Sequence, residues 1–176
     1  MSTTTAAGPA ATREQVWQVA ATVTDPELPV LTLEDLGVLR EVEVVDDGGV
    51  VVTITPTYSG CPAMAAMRDD LVRVLRAAGH DRVEVRTALH PAWSSDWISE
   101  AGRAKLRRHG ISPPGARGPA AAGPVPLTLL PRQRAVACPR CEAVPAELVS
   151  EFGPTACTAL YRCGACLEPF EHLKEI

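Results

Sequence analysis

Two CxxC pairs, Cys138-Pro-Arg-Cys141 and Cys163-Gly-Ala-Cys166, stand twenty-one residues apart near the end of a chain of 176 residues. Each pair can direct two thiolates at one ion, and two such pairs complete a tetrahedron. A segment this short buries little core of its own. A structural zinc ion, by contrast, contributes roughly 10–16 kcal/mol of apparent binding energy in small peptides. The last forty or so residues are therefore expected to form a small β module held by a metal on Cys138, Cys141, Cys163 and Cys166. Four soft sulfurs in a closed shell suit zinc and leave no position for an activated water, so the expected role is structural. An iron–sulfur cluster stays open as the alternative, because four cysteines satisfy a cluster too and Cys157 supplies a further thiol nearby. A redox dithiol would need a thioredoxin-like βαβ context, which neither pair has.

The length suits one ordinary domain plus this appendage. With 46% apolar and 22% charged residues, the chain has ample material for a core. A net charge of −4 gives no overall pull toward phosphate backbones or anionic lipid, so neither nucleic acid nor membrane is an expected partner. No run approaches the roughly twenty apolar residues of a membrane span, and Met1–Ala11 has no signal-peptide pattern. A cytoplasmic setting follows, where cysteines argue for metal binding more than for disulfides.

Residues 1–11 read as a disordered terminus, and an α/β domain is expected over residues 12–111. Thr12 and Gln15 make a capping-box pair opening an amphipathic helix that stops before Asp25-Pro26. Val38–Val45 and Val50–Thr55 are β-branched runs separated by Asp46-Asp47-Gly48-Gly49, which predicts a hairpin. Met64, Met67, Leu71, Val74, Leu75 and Ala78 form the stripe of a second helix. Val83, Val85, Thr87 and Leu89 alternate as a third strand, and Ile98–Arg108 can form a short basic helix. The expected fold is αββαβ(α) with a three-stranded sheet. Residues 112–131 hold six prolines and read as a linker, within which Leu127, Leu129 and Leu130 could dock on one of the domains. Residues 132–176 then form the cysteine module.

A second site is suggested by Asp25-Pro26-Glu27 and by Thr57-Tyr58-Ser59-Gly60-Cys61-Pro62. Pro62 suits the first position of a helix, which puts Cys61 at its cap. There the exposed amides would lower the Cys61 pKa and make it a better nucleophile or metal ligand. A small buried cysteine capping a helix is the equally weighted alternative.

These same motifs carry a family resemblance over nearly the whole chain from Thr12. Asp25-Pro-Glu-Leu-Pro-Val-Leu31, Asp35-Leu-Gly-Val38 and Thr55-Pro-Thr-Tyr-Ser-Gly-Cys-Pro-Ala63 resemble the iron–sulfur assembly-associated domain family. Pro91-Ala-Trp-Ser-Ser-Asp-Trp-Ile98, Gly110-Ile-Ser-Pro-Pro114 and Tyr161-Arg-Cys-Gly-Ala-Cys-Leu-Glu-Pro-Phe170 make the chain similar to the PaaD family of bacterial phenylacetyl-CoA epoxidases. The resemblance implies an accessory subunit of a di-iron monooxygenase system in aerobic phenylacetate catabolism. Such a subunit would lack autonomous catalysis and assist maturation of an iron or iron–sulfur centre. Its partners would be the di-iron oxygenase or iron–sulfur reductase components, and a homodimer stays open. The cysteine module would be zinc-ribbon-like, and Cys61, Asp25 and Glu27 would hold iron or a cluster transiently. In agreement, the chain has no paired Glu-x-x-His motifs and no GxGxxG after a strand.

The alternative function is a purely structural docking subunit. A nucleic-acid-binding ribbon would need a basic, aromatic surface, and a redox enzyme at Cys61 would need a resolving partner. Trp93 and Trp97 are expected in the core rather than at an interface, as are Met64 and Met67. Arg103, Lys105, Arg107 and Arg108 read as a solvated face, with an acidic partner or the phosphates of CoA as the sharper alternative. The four histidines receive no role.

Overall fold

The computed structural model describes residues 11–58, 60–115 and 135–175. The expected disordered terminus, all but Ala11, and most of the linker lie outside these, as do Leu127, Leu129 and Leu130. The chain divides into two compact units between Trp93 and Ser94.

In the first unit, α1 (Arg13–Ala20) opens on the expected capping box: the Thr12 hydroxyl accepts from the Gln15 amide at 3.3 Å, and the Gln15 side chain accepts from the Thr12 amide at 2.9 Å. Strands β1 (Leu39–Val44) and β2 (Val50–Ile54) form the antiparallel hairpin. Its turn needs Gly48, whose φ of +77° is a conformation open to glycine without strain. Helix α2 (Met64–Ala77) then crosses over to β3 (Val83–Thr87), which pairs parallel to β2. The sheet order is β1-β2-β3, as the αββαβ reading requires. Val16 and Ala20 of α1 and Met67, Leu71 and Leu75 of α2 are buried with Val42, Val52 and Ile54 of the sheet. Trp93 is buried as expected, and its indole N–H donates to the Leu36 carbonyl at 2.9 Å.

The second unit begins earlier than the 111/112 boundary suggested by the sequence. A 3-10 turn at Ser95–Trp97 leads to α3 (Glu100–Arg108), capped by the Ser99 hydroxyl. Strand β4 (Ile111–Ser112) follows and pairs parallel to β7 (Pro169–Leu173) of the cysteine module. With β5 (Ala146–Ser150) and β6 (Thr158–Cys163), these make a four-stranded sheet of order β4-β7-β6-β5. The physical reason is the open edge of β7, which residues 111–112 fill. Arg103 accordingly departs from a solvated face: its guanidinium donates to the Pro114 carbonyl at 2.6 Å and the Ser95 carbonyl at 2.8 Å, tying both ends of this stretch to α3. His172 is buried within the sheet, its Nδ1 3.2 Å from the Ser112 carbonyl.

Candidate metal centre

Cys138, Cys141, Cys163 and Cys166 come together with all four sulfurs within 4.8 Å of one another. Each pair sits in a tight knuckle of matching design. The Cys138 amide donates to the Ala143 carbonyl and its carbonyl accepts from Glu142 N–H; the Cys163 amide donates to Glu168 and its carbonyl accepts from Leu167 N–H. Both knuckles close on a residue in the left-handed region, Glu142 at φ 59° and Leu167 at φ 62°. Neither is glycine, so the sequence carried no signal of this turn. The two knuckles meet in one sheet because Ala146 of β5 is the register partner of Cys163 of β6.

The sulfur spacing decides what this cage can hold. Cys138–Cys166 and Cys141–Cys163 are 3.8 and 3.5 Å apart, far longer than a disulfide bond of about 2.05 Å. A tetrahedral ion with metal–sulfur bonds of about 2.3 Å has edges of about 3.8 Å. The four-cysteine set therefore suits a metal. The amides of Cys166 and Ala165 donate to the Cys163 sulfur, each at 3.4 Å. With the Cys166 amide contributing most, the Cys163 thiol is drawn down to about 6. The Glu168 amide favours the Cys166 thiolate too, but Cys163, burial and the other cysteines outweigh it and push Cys166 up to about 12. Adjacent thiols thus share protons unequally, and a bound cation would replace that sharing with four metal–thiolate bonds.

Cys157 does not belong to this group. It precedes β6 while Cys163 ends it, a separation of about 20 Å at 3.3 Å per strand residue. Its sulfur lies instead 3.2 Å from the Thr155 hydroxyl. Exchange of Cys157 into the ligand set would require unzipping the central strand of the ribbon.

In the first unit the expected second set does not gather as a ligand cluster among the described residues, although its members act on one another electrostatically. Cys61 is half-buried, and the charges of Asp25 and Glu27 both act on its thiol. The expected direction of its shift is reversed. Helix α2 begins at Met64 with Ala63 as its cap residue, so Cys61 precedes the cap by two positions. Burial, followed by Asp25 and Glu27, raises the thiol above its ordinary value despite hydrogen bonds from the Ala63 amide and the Thr57 side chain. Asp25 is buried, and its Oδ1 accepts from the Glu27 and Leu28 amides, both at 2.8 Å. Its carboxyl is also raised by burial, with those two amides opposing. Thr57 was not singled out from the sequence; its place in the Thr57–Cys61 loop was the available signal. Cys61 is thus a half-buried thiol under the charges of Asp25 and Glu27, but among the described residues the cysteine cage alone has three or more ligand atoms gathered closely enough to hold one ion.

Comparison with known proteins agrees with both halves. A family described as PaaD zinc beta ribbon domain matches residues 122–174, and one described as iron-sulfur cluster assembly protein matches residues 13–87. A protein of Escherichia coli (strain K12), provisionally named as the D component of 1,2-phenylacetyl-CoA epoxidase, is 43% identical over 160 residues, 91% of each chain. An Fe-S protein maturation auxiliary factor of Porphyromonas gingivalis (strain ATCC BAA-308 / W83) is 35% identical over 96 residues, 54% of this chain and 90% of that protein. A crystal structure of a domain of unknown function, DUF59, from Bacillus anthracis superposes with a TM-score of 0.50 at 26% identity, covering 53% of this chain and 90% of that one. No helix among the described residues is long and apolar enough to cross a membrane.

Proposed function

Because the chain belongs to the PaaD family of 1,2-phenylacetyl-CoA epoxidase components, we propose that it is an accessory protein of such an oxygenase system, acting in the cytoplasm to supply iron or an iron–sulfur unit to another component. The donor set is Cys61 with Asp25 and Glu27. The observation that supports this reading is the half-buried Cys61 thiol lying within electrostatic reach of Asp25 and Glu27. Ferrous iron accepts both oxygen and sulfur ligands. A site that must release a proton to bind, and that offers few ligands, holds its cargo weakly enough to pass it on. The name of the Porphyromonas gingivalis relative, an Fe-S protein maturation auxiliary factor, supports the same class of role.

The four-cysteine site is the structural counterpart, with zinc as its ion. Sulfurs all within 4.8 Å favour one central ion, since thiolates on a cluster are spread over several irons and stand farther apart. Its closed shell keeps it out of the handover.

The reading is tested by replacing Cys61→Ala in cells that co-express the oxygenase and its reductase, then measuring iron per client and zinc per mole of this chain. The expected result is a loss of client iron with zinc unchanged. Full client iron in the variant would end the handover reading, whereas iron in place of zinc on the wild-type four-cysteine site would overturn only the structural assignment.

A further inference from the structure

The four sulfurs of the cage are not equivalent. Each cross-knuckle pair joins an exposed cysteine to a buried one: Cys141 meets Cys163 at 3.5 Å, and Cys166 meets Cys138 at 3.8 Å. Solvent therefore reaches the cage through Cys141 and Cys166, one in each knuckle. A dissolved oxidant meets those two sulfurs first.

Amide hydrogen bonds separate the two. The second knuckle turns its backbone toward its own sulfurs: the amides of Ala165 and Cys166 donate to Cys163, and the Glu168 amide acts on Cys166. Among the described residues, the Cys141 sulfur has the Cys163 sulfur as its contact and no amide donor. A donor on a thiolate draws charge off the sulfur and weakens it as a nucleophile. Cys141 is thus the ligand that combines exposure with an undiminished sulfur charge, and it has the nearer partner of the two exposed cysteines.

With zinc on the cage, as proposed above, all four cysteines are thiolates. On that reading we propose that Cys141 is the peroxide-sensitive ligand of the cage, and that its oxidation joins it to Cys163 and frees the metal. The Cys141 thiolate attacks one oxygen of hydrogen peroxide: an S–O bond forms, the O–O bond breaks, and the departing hydroxide takes a proton to become water. The Cys163 thiolate then attacks the Cys141 sulfur, so that an S–S bond forms, the S–O bond breaks, and a second hydroxide leaves and is protonated to water. The two sulfurs together lose two electrons, the peroxide gains them, and two protons are consumed. Contact at 3.5 Å makes the second step intramolecular, and the sulfurs need only close to about 2.05 Å. Cys138 and Cys166 then remain as half of a tetrahedral set, too few to retain zinc. The new bond spans the two knuckles that the ion had joined, so a covalent staple replaces a metal one.

The test uses the full chain purified without air. Its metal is measured first; hydrogen peroxide is then added, with zinc release read by a chromophoric chelator and disulfides mapped by peptide mass spectrometry. The expected first product is the Cys141–Cys163 disulfide, formed in step with zinc release and reversed by a thiol reductant with added zinc. Cys141→His keeps a ligand at that position with no thiolate to oxidise, and Cys166→His does the same at the other exposed position. Loaded with zinc to the wild-type level, the first variant should keep its zinc in peroxide that empties the wild type, and the second should lose it as the wild type does. Should either variant fail to load, the wild-type disulfide map decides by itself. Any other first product, such as a disulfide within one knuckle or between Cys138 and Cys166, would overturn the proposal, as would zinc retained through oxidation elsewhere. Iron in place of zinc before peroxide is added would overturn the zinc assignment, and this proposal with it.

Discussion

Stripping the metal from the four cysteines should unfold residues 94–115 together with the ribbon, while leaving the first unit intact. The buried cluster around the cysteines comprises Val136, Cys138, Ala159, Tyr161, Cys163 and Phe170. Of these, only Val136, Tyr161 and Phe170 are large apolar groups that remain when the cysteines lose their ion, each contributing about 1.5–3 kcal/mol by burial. A structural zinc contributes roughly 10–16 kcal/mol, more than that apolar cluster provides. Strand β4 is only two residues long, and its register partners are Glu171 and His172 of β7. It has nothing to pair with once β7 melts. If the second unit is stable by about 5 kcal/mol when loaded, its slowest amides should exchange roughly 10³–10⁴-fold faster after chelation. Hydrogen exchange of the full chain, read by mass spectrometry with and without chelator at neutral pH, resolves the segments. Protection retained in residues 100–112 while 158–173 lose theirs would refute the grouping of α3 and β4 with the ribbon. Protection retained throughout would refute the metal as the source of its stability.

Three further outcomes follow from single sites. Because burial and the two neighbouring carboxylates hold the Cys61 thiol above its ordinary value, its thiolate should appear only at higher pH than that of an unstructured cysteine. Alkylation of Cys61 at pH 8, followed by peptide mass spectrometry, should be slower than for an unstructured cysteine and faster in Asp25→Asn/Glu27→Gln; the opposite order would contradict the assigned electrostatics. Gly153→Ala forces a Cβ against Thr158 and should cost about 1–3 kcal/mol, measured as loss of hydrogen-exchange protection in the ribbon alone. Trp93→Phe leaves the Leu36 carbonyl without its indole donor and should destabilise the first unit by about 1–3 kcal/mol in urea unfolding; an unchanged midpoint would show the bond to be dispensable.

Much of this architecture could be read from the chain because local chemistry and tertiary packing agree there. Thr12 and Gln15 set the start of α1, Asp46-Asp47-Gly48-Gly49 set the hairpin, and the two CxxC pairs set the cage. Where the two levels compete, the reading shifts. Pro62 favours a helix opening at its own position, but the turn in which the Cys61 amide reaches the Tyr58 carbonyl delays α2 to Met64. That shift changes the sign at Cys61, since the thiol loses the cap position while burial, and then its acidic neighbours, act on it. A two-residue strand such as β4 has no periodicity to detect. Arg103 looks like its basic neighbours in sequence, and only the carbonyls of Ser95 and Pro114 distinguish it.

The pairing of β4 with β7 changes what the proline-rich stretch is for. Strand β4 before it and the first cysteine knuckle after it belong to the same folding unit, so the stretch does not join two separate domains. A fragment cut at residue 132 would discard part of the very sheet it was meant to isolate.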